Sequence, residues 1–312
     1  MVTFRTLTLE EMPTAIQLWV DVFGVEAAFF QTLIDGDPAD WVSLGAFEDD
    51  RLVSSVHVFM RWFRDRDATP LKVGGIGSVS TLPEARSKGY SSKLLQMAIK
   101  EMETRECVWS YLGTGVNDHY AKQGWRTVST QCFRGKLKEV NSAEVLATDT
   151  VSDSLLASMC QVHLHCFRSK PMSNGRAPVM WDTAVRYRLT GANDEVFTQF
   201  DDKWLKAYLV TRRWEGRMEI VEAACAPGAD AILDDLIAKR MAYAYTQGVR
   251  NVTSMIAEQG VGHQAFVSAC SEVNPAEDRA WMVLPIANRI TLPDLVALHA
   301  DPRGRRSDLD NF

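Results

Sequence analysis

The sequence lacks three things, and each absence excludes a class of function. It has no excess of positive charge: 34 Lys and Arg stand against 40 Asp and Glu, a net charge of −6 at neutral pH. Phosphate contacts along a nucleic acid need a basic face, so no nucleic-acid partner is expected. It has no apolar run of the roughly 18 residues that cross a bilayer, and no basic stretch followed by an apolar one after Met1. A cytoplasmic chain without membrane contact is the expectation. It also lacks any C-x-x-C pair: Cys107, Cys132, Cys160, Cys166, Cys225 and Cys270 are scattered, several within apolar segments. Buried thiols in a reducing compartment suit this pattern better than a disulfide framework. Cys160, His163, His165 and Cys166 have the ligand types for zinc. On one helix, however, His165 points away from the face the other three share, and no second ligand pair follows nearby, so no metal is expected. What remains is an ordinary globular composition, 46% hydrophobic and 24% charged. Its 312 residues are long for one core and comfortable for two domains.

The chain is organised around residues 74–102. Ile76, Val79 and Leu82 alternate with Gly and Ser, which predicts a buried strand whose backbone can be closely approached. Leu94, Leu95, Ala98, Ile99 and Met102 follow at three- and four-residue spacing, an amphipathic helix. Between them lie Arg86, Ser87, Lys88, Gly89, Tyr90 and Ser91, whose N–H groups would open at a helix N-terminus. That is an anion site, with phosphate the expected anion. Gly74, Gly75 and Gly77 do not make a dinucleotide fingerprint, because they precede or lie within the strand rather than between it and the helix.

Arg86-x-x-Gly89-x-Ser91 after a strand and Pro83 resembles the R/Q-x-x-G-x-G/A pyrophosphate loop of the GNAT superfamily of N-acetyltransferases, with Ser91 in place of Gly or Ala. Tyr120-x-x-x-Gly124-Trp125, in a short helix closed by Gly124, is similar to a second segment of that superfamily, with His119 in place of the usual Phe. The resemblance covers about residues 1–138. It implies acetyl-CoA as cosubstrate, its diphosphate held by residues 86–91 and its pantetheine paired like an added strand with Val79, Ser80 and Thr81. It also implies that Tyr120 protonates the departing thiolate. Asn117 is either a helix cap or a pantetheine contact.

Ahead of the central strand, the pattern predicts a strand at 2–9, helices up to Gly24 and over 26–34, a turn at Asp35, Gly36, Asp37 and Pro38, and a hairpin of strands 41–47 and 52–62. A strand at 107–112 follows it. Residues 149–286 repeat this order of elements, with helices at 154–167, 178–189 and 231–245 and strands at 195–200, 204–210, 218–224, 251–256 and 281–286. The expected fold class is therefore α/β, a mixed sheet in two tandem GNAT-like domains: 1–140 a GNAT acetyltransferase domain, 150–290 a degenerate copy, and 291–312 a solvated C-terminal tail. The second copy is expected to be degenerate because its loop, Ala226-Pro227-Gly228-Ala229-Asp230, has no cation and puts an acid where a diphosphate would sit.

Acyl transfer to an amine needs a neutral nucleophile, a polarised carbonyl and a proton for the thiolate. The expected activity is N-acetylation of a primary amine on a small molecule or peptide by direct attack. A CoA-binding sensor or scaffold that has lost turnover is the alternative, and homo-oligomerisation is compatible with either. The central strand carries no Asp or Glu, so the general base is open between His57, His119, Asp118, Glu26 and a proton leaving through water.

Overall fold

The computed structural model describes residues 1–36, 40–191 and 193–304. The first half begins with β1 (Val2–Thr6), then α1 (Met12–Phe23), which starts on a proline in its first turn and ends at Gly24 in the left-handed region, φ 66°. Then come α2 (Ala27–Asp35), β2 (Trp41–Glu48), β3 (Arg51–Arg64), β4 (Pro70–Thr81), α3 (Tyr90–Thr104), β5 (Trp109–Gly113), α4 (Asn117–Ala121) and β6 (Arg126–Leu137). The expected Asp37 and Pro38 portion of the turn lies outside the described residues.

The second half runs α5 (Asp153–Phe167), α6 (Pro178–Met180), a π-helical turn over Trp181–Val185, α7 (Arg186–Leu189), β7 (Asp194–Asp201), β8 (Trp204–Trp214), β9 (Arg217–Cys225), α8 (Asp230–Thr246), β10 (Asn251–Ser254), α9 (His263–Ala269), β11 (Cys270–Pro285) and α10 (Leu292–His299). Apart from β6, for which no strand is expected, the repeated order of elements follows the sequence expectation. His163 of α5 is buried against Phe167 and Trp181, part of the apolar face of that helix.

All the strands join one mixed sheet in the order β1-β2-β3-β4-β5-β11-β6-β10-β9-β8-β7. The two halves exchange their last strands. β11 inserts between β5 and β6, antiparallel to both, while β6 pairs antiparallel with β10. The run β2-β3-β4-β5-β11-β6 is thereby mirrored by β7-β8-β9-β10-β6-β11, with β1 added at one edge. The exchange also carries core: Met282 of β11 lies in the cluster with Leu94, Leu95, Met102 and Trp125, and Val283 in that of Trp109 and Tyr111.

Three segments differ from the sequence expectation, the first being β6 (Arg126–Leu137), for which no strand is expected after Trp125. β11 begins at Cys270 rather than near 281. Its first part, with Glu272, Pro275, Glu277 and Asp278, is a polar ribbon that reads as loop because most of it faces water. Residues 291–299 are not solvated tail: Thr291 and Asp294 form a capping box, and Leu295 and Leu298 of α10 are buried near Trp109 and Phe63. Two turns are too short for an apolar period to stand out. The remainder of the expected tail, 305–312, lies outside the described residues.

Candidate active site

β4 and β5 run parallel but pair only at Val73–Trp109, Gly74–Ser110 and Gly75–Tyr111. Beyond Gly75 they separate. A bulge helps: His57 faces Gly77 and Ser55 faces Ser80, so Ser78 and Val79 together oppose Val56, and Ser78 takes a positive φ of 49°. The opening is a cleft of about 480 Å³. Ile76, Gly77, Ser78 and Val79 form one side, and Gly113, Thr114, Gly115 and Val116 the other. Tyr120 of α4 lines it as well, opposite a wall contributed by α1 and α2.

The structure brings Val79 and Tyr120 to this cleft. Ser80 and Thr81 do not line it. The Ser80 hydroxyl is buried against Ser55 Oγ at 3.0 Å, and its carbonyl accepts from Ser54 Oγ at 2.8 Å. Ser55 in turn accepts from Trp19 Nε1 at 2.7 Å. Thr81 Oγ1 is 2.8 Å from Ser54 Oγ. Asn117 opens α4, and its amide donates to Thr127 Oγ1 of β6 at 2.8 Å. These bonds fix β4 to β3 and α4 to β6, so they set the shape of the cleft.

The loop at residues 86–91 has the local geometry of an anion cradle. Ser87 and Gly89 both sit in the left-handed region, φ 64° and 82°, and Gly89 caps α3. Alternation of this kind turns successive N–H groups toward one side at a helix N-terminus. Ser91 lies in the first turn of α3. The loop's own cations have protein partners: Arg86 Nε donates to the Thr81 carbonyl at 3.3 Å, and Lys88 Nζ lies 2.7 Å from Glu48. Tyr90 also donates to Glu48, at 2.5 Å. The hydrogen bond from Lys88 holds the Glu48 carboxyl below its ordinary range.

Tyr120 is buried, and desolvation of its ring pushes its hydroxyl up to about 12. It therefore keeps its proton at neutral pH. No carboxylate or imidazole lines the cleft among the described residues. His57 is buried behind it between the rings of Trp19, Trp41 and Phe59, with Nδ1 2.8 Å from Ser43 Oγ. Burial, aided by Arg61, pulls its pKa down to about 3. His119 packs edge-on against Tyr120, and burial lowers its pKa too. Asp118 is exposed on α4, and Glu26 accepts a hydrogen bond from Tyr187 of the second half.

The second half has an equivalent opening between β9 and β10, whose parallel pairing stops at Ile220–Ser254. The chain itself fills most of it. Glu222 sits at the β9 bulge and accepts from Arg176 Nη1 and Nη2 at 3.1 and 2.6 Å and from Tyr208 at 2.5 Å. Phe167, Lys170 and Arg303 close in from other segments, leaving about 40 Å³. Neither the buried ion pair nor its charge was legible from spacing, because Arg176 and Glu222 are 46 residues apart.

Residues 3–128 match the family model of the acetyltransferase (GNAT) domain. No curated protein matches the chain. Among solved structures, an Enterococcus faecalis protein described as a probable N-acyltransferase aligns at TM-score 0.69 and 18% identity, over 92% of this chain and 73% of its own. A GCN5-related N-acetyltransferase from Anabaena variabilis aligns at 0.68 and 12% over the same shares. A tandem GNAT protein from the clavulanic acid biosynthesis pathway aligns at 0.51 and 10%, over 92% of this chain and 99% of its own. At these identities the likeness is one of fold, and it spans both halves.

Proposed function

We propose that the GNAT domain matched over residues 3–128 works as an acetyl-CoA-dependent N-acetyltransferase, passing an acetyl group directly to a primary amine of a small molecule or peptide. The observation that carries this reading is Tyr120, buried and protonated, in the wall of the cleft where β4 and β5 part. Bound acetyl-CoA supplies an activated thioester carbonyl. The chain supplies the rest. The unpaired edge of β4 at Gly77, Ser78 and Val79 offers backbone groups to an extended pantetheine, as an edge strand does to an added one. The turn at Ser87–Gly89 and the first N–H groups of α3 receive the diphosphate, with Arg86 and Lys88 alongside. No neighbouring atom lies within 4 Å of where a Cβ on Gly89 would stand, so the cradle has room.

In the transfer the amine nitrogen bonds to the carbonyl carbon, the carbon–sulfur bond breaks, and Tyr120 Oη gives its proton to the sulfur. The amine's proton leaves to water, since nothing titratable apart from Tyr120 lines the cleft among the described residues. Tyr120 regains its proton from solvent, which balances the exchange. Ser80, Thr81 and Asn117 act on the cofactor site through their hydrogen bonds to Ser54, Ser55 and Thr127. The site is in the domain at 1–140, and the copy at 150–290 is structural.

Thiol release from acetyl-CoA over a panel of amines tests the reading, with Tyr120→Phe as the chemical control and Gly89→Glu as the binding control. Amine-dependent release that collapses in the first variant, and one acetyl-CoA per chain by calorimetry that vanishes in the second, are the expected results. Absence of amine-dependent release above hydrolysis would defeat it.

A further inference from the structure

Among the described residues, the wall of the cleft facing β4 and β5 carries no charge-bearing side chain. It consists of Phe23, Val25, Phe29, Phe30 and Leu33, from α1, α2 and the turn between them. Phe23 is 46% and Val25 36% exposed, and Val116, across the mouth, is 63% exposed. Large apolar side chains left open together around a cavity mark a surface meant to be covered. The one carboxylate in that turn, Glu26, is engaged by the hydroxyl of Tyr187, whose ring packs 5.9 Å from Phe29. Tyr187 of the second half thus contacts both the apolar wall and the acid in its turn.

Resting on the acetyltransferase reading, we propose that the acceptor is a monoamine on an apolar body, an arylalkyl or branched alkyl amine, and not a polycation or an amino sugar. Two arguments converge. A polyamine or a hydroxyl-rich amine in this cleft would give up hydration without finding partners on the helical wall, whereas an arylalkyl body would cover Phe23, Val25 and Val116. The same lining also answers the missing base. An ammonium group moved into apolar surroundings loses its proton more readily, so the nucleophile becomes neutral on binding without a carboxylate to collect the proton.

The test compares kcat/KM for thiol release with phenethylamine, tryptamine and isoamylamine against ethanolamine, spermidine and glucosamine. The apolar amines are expected to lead ethanolamine by about tenfold or more. Phe23→Ser and Val116→Ser, both at exposed positions, should raise KM for phenethylamine several-fold and shrink that lead. Calorimetric titration of phenethylamine onto the CoA-loaded protein should show the same loss of affinity. If ethanolamine, spermidine or glucosamine serve as well or better, the acceptor class is wrong while the acetyltransferase reading stands. If no amine releases thiol although acetyl-CoA raises Tm, the acetyltransferase reading fails and the acceptor class falls with it.

Discussion

In the proposed transfer Tyr120 can donate a proton only while it stays neutral, and burial favours that state. Its pKa of about 12 lies above the ordinary value of 10.0. A tyrosine shifted in this direction favours the folded state below pH 10, and that contribution is lost as pH rises from 10 through 12. For turnover, the rate should climb as the acceptor amine loses its proton and should show no falling limb below about pH 10. A pH–rate profile on a good acceptor checks this, and a decline near pH 8 would assign the acid to another group. Tyr120→Phe should lower kcat by about 10²–10⁴ with little change in KM for acetyl-CoA, because the hydroxyl acts on the leaving group rather than on binding. Its place in the motif was readable from the sequence; its elevated pKa was not, since that depends on Trp125 and the cleft walls closing around it.

At the scale of an element, β4 shows why its glycines are needed. A Cβ on Gly74 would stand 2.2 Å from Met102 Sδ, and one on Gly75 would stand 2.2 Å from Phe59 Cε2. The glycine-rich stretch reads from the sequence as a strand that something approaches closely, and that holds. What approaches Gly74 and Gly75 is the protein's own core, and of the three glycines only Gly77 lines the cleft. The two sites should respond differently to alanine. Met102 is fully buried but is an unbranched, flexible side chain, whereas the Phe59 ring is rigid and packed among Tyr111 and His57. Gly75→Ala should cost about 1–3 kcal/mol and Gly74→Ala distinctly less, read from urea midpoints. Equal costs would mean that Met102 is as confined as Phe59. The loop proposed to hold the phosphates could be singled out because its pattern is local: a cation, a glycine and a helix start within six residues. Of the helical wall, only Phe29 and Phe30 could be singled out, as aromatics suited to either the acceptor's cleft or the core, since an apolar helix face reads the same whether it meets core or a cavity.

The whole molecule rests on contacts that no local pattern announces. One is the Arg176–Glu222 pair, with both side chains fully buried in the second cleft. Arg176→Met should cost about 3–5 kcal/mol by leaving the carboxylate buried without its guanidinium, and Arg176→Met with Glu222→Gln should recover much of that loss. Thermal unfolding of the single and double variants measures it. The larger contact is the strand exchange. Most of each half's order of elements could be read along the chain, β6 excepted, but the seating of β11 between β5 and β6 depends on pairing partners more than a hundred residues apart. In addition, the outer part of the β6–β11 ladder is polar enough to pass for loop. The exchange makes the halves interdependent. A fragment ending at residue 150 keeps the loop at 86–91 and Tyr120 but lacks β11, so β5 loses the strand that separates it from β6, and the core around Trp125 loses Met282. Expressed alone, that fragment should lack a cooperative melt and should self-associate through its open edges. Mixed with residues 151–312 it should recover a single transition and acetyl-CoA binding, followed by circular dichroism and calorimetry. A first fragment that melts cooperatively and binds acetyl-CoA unaided would show that β11 is dispensable to the site it borders.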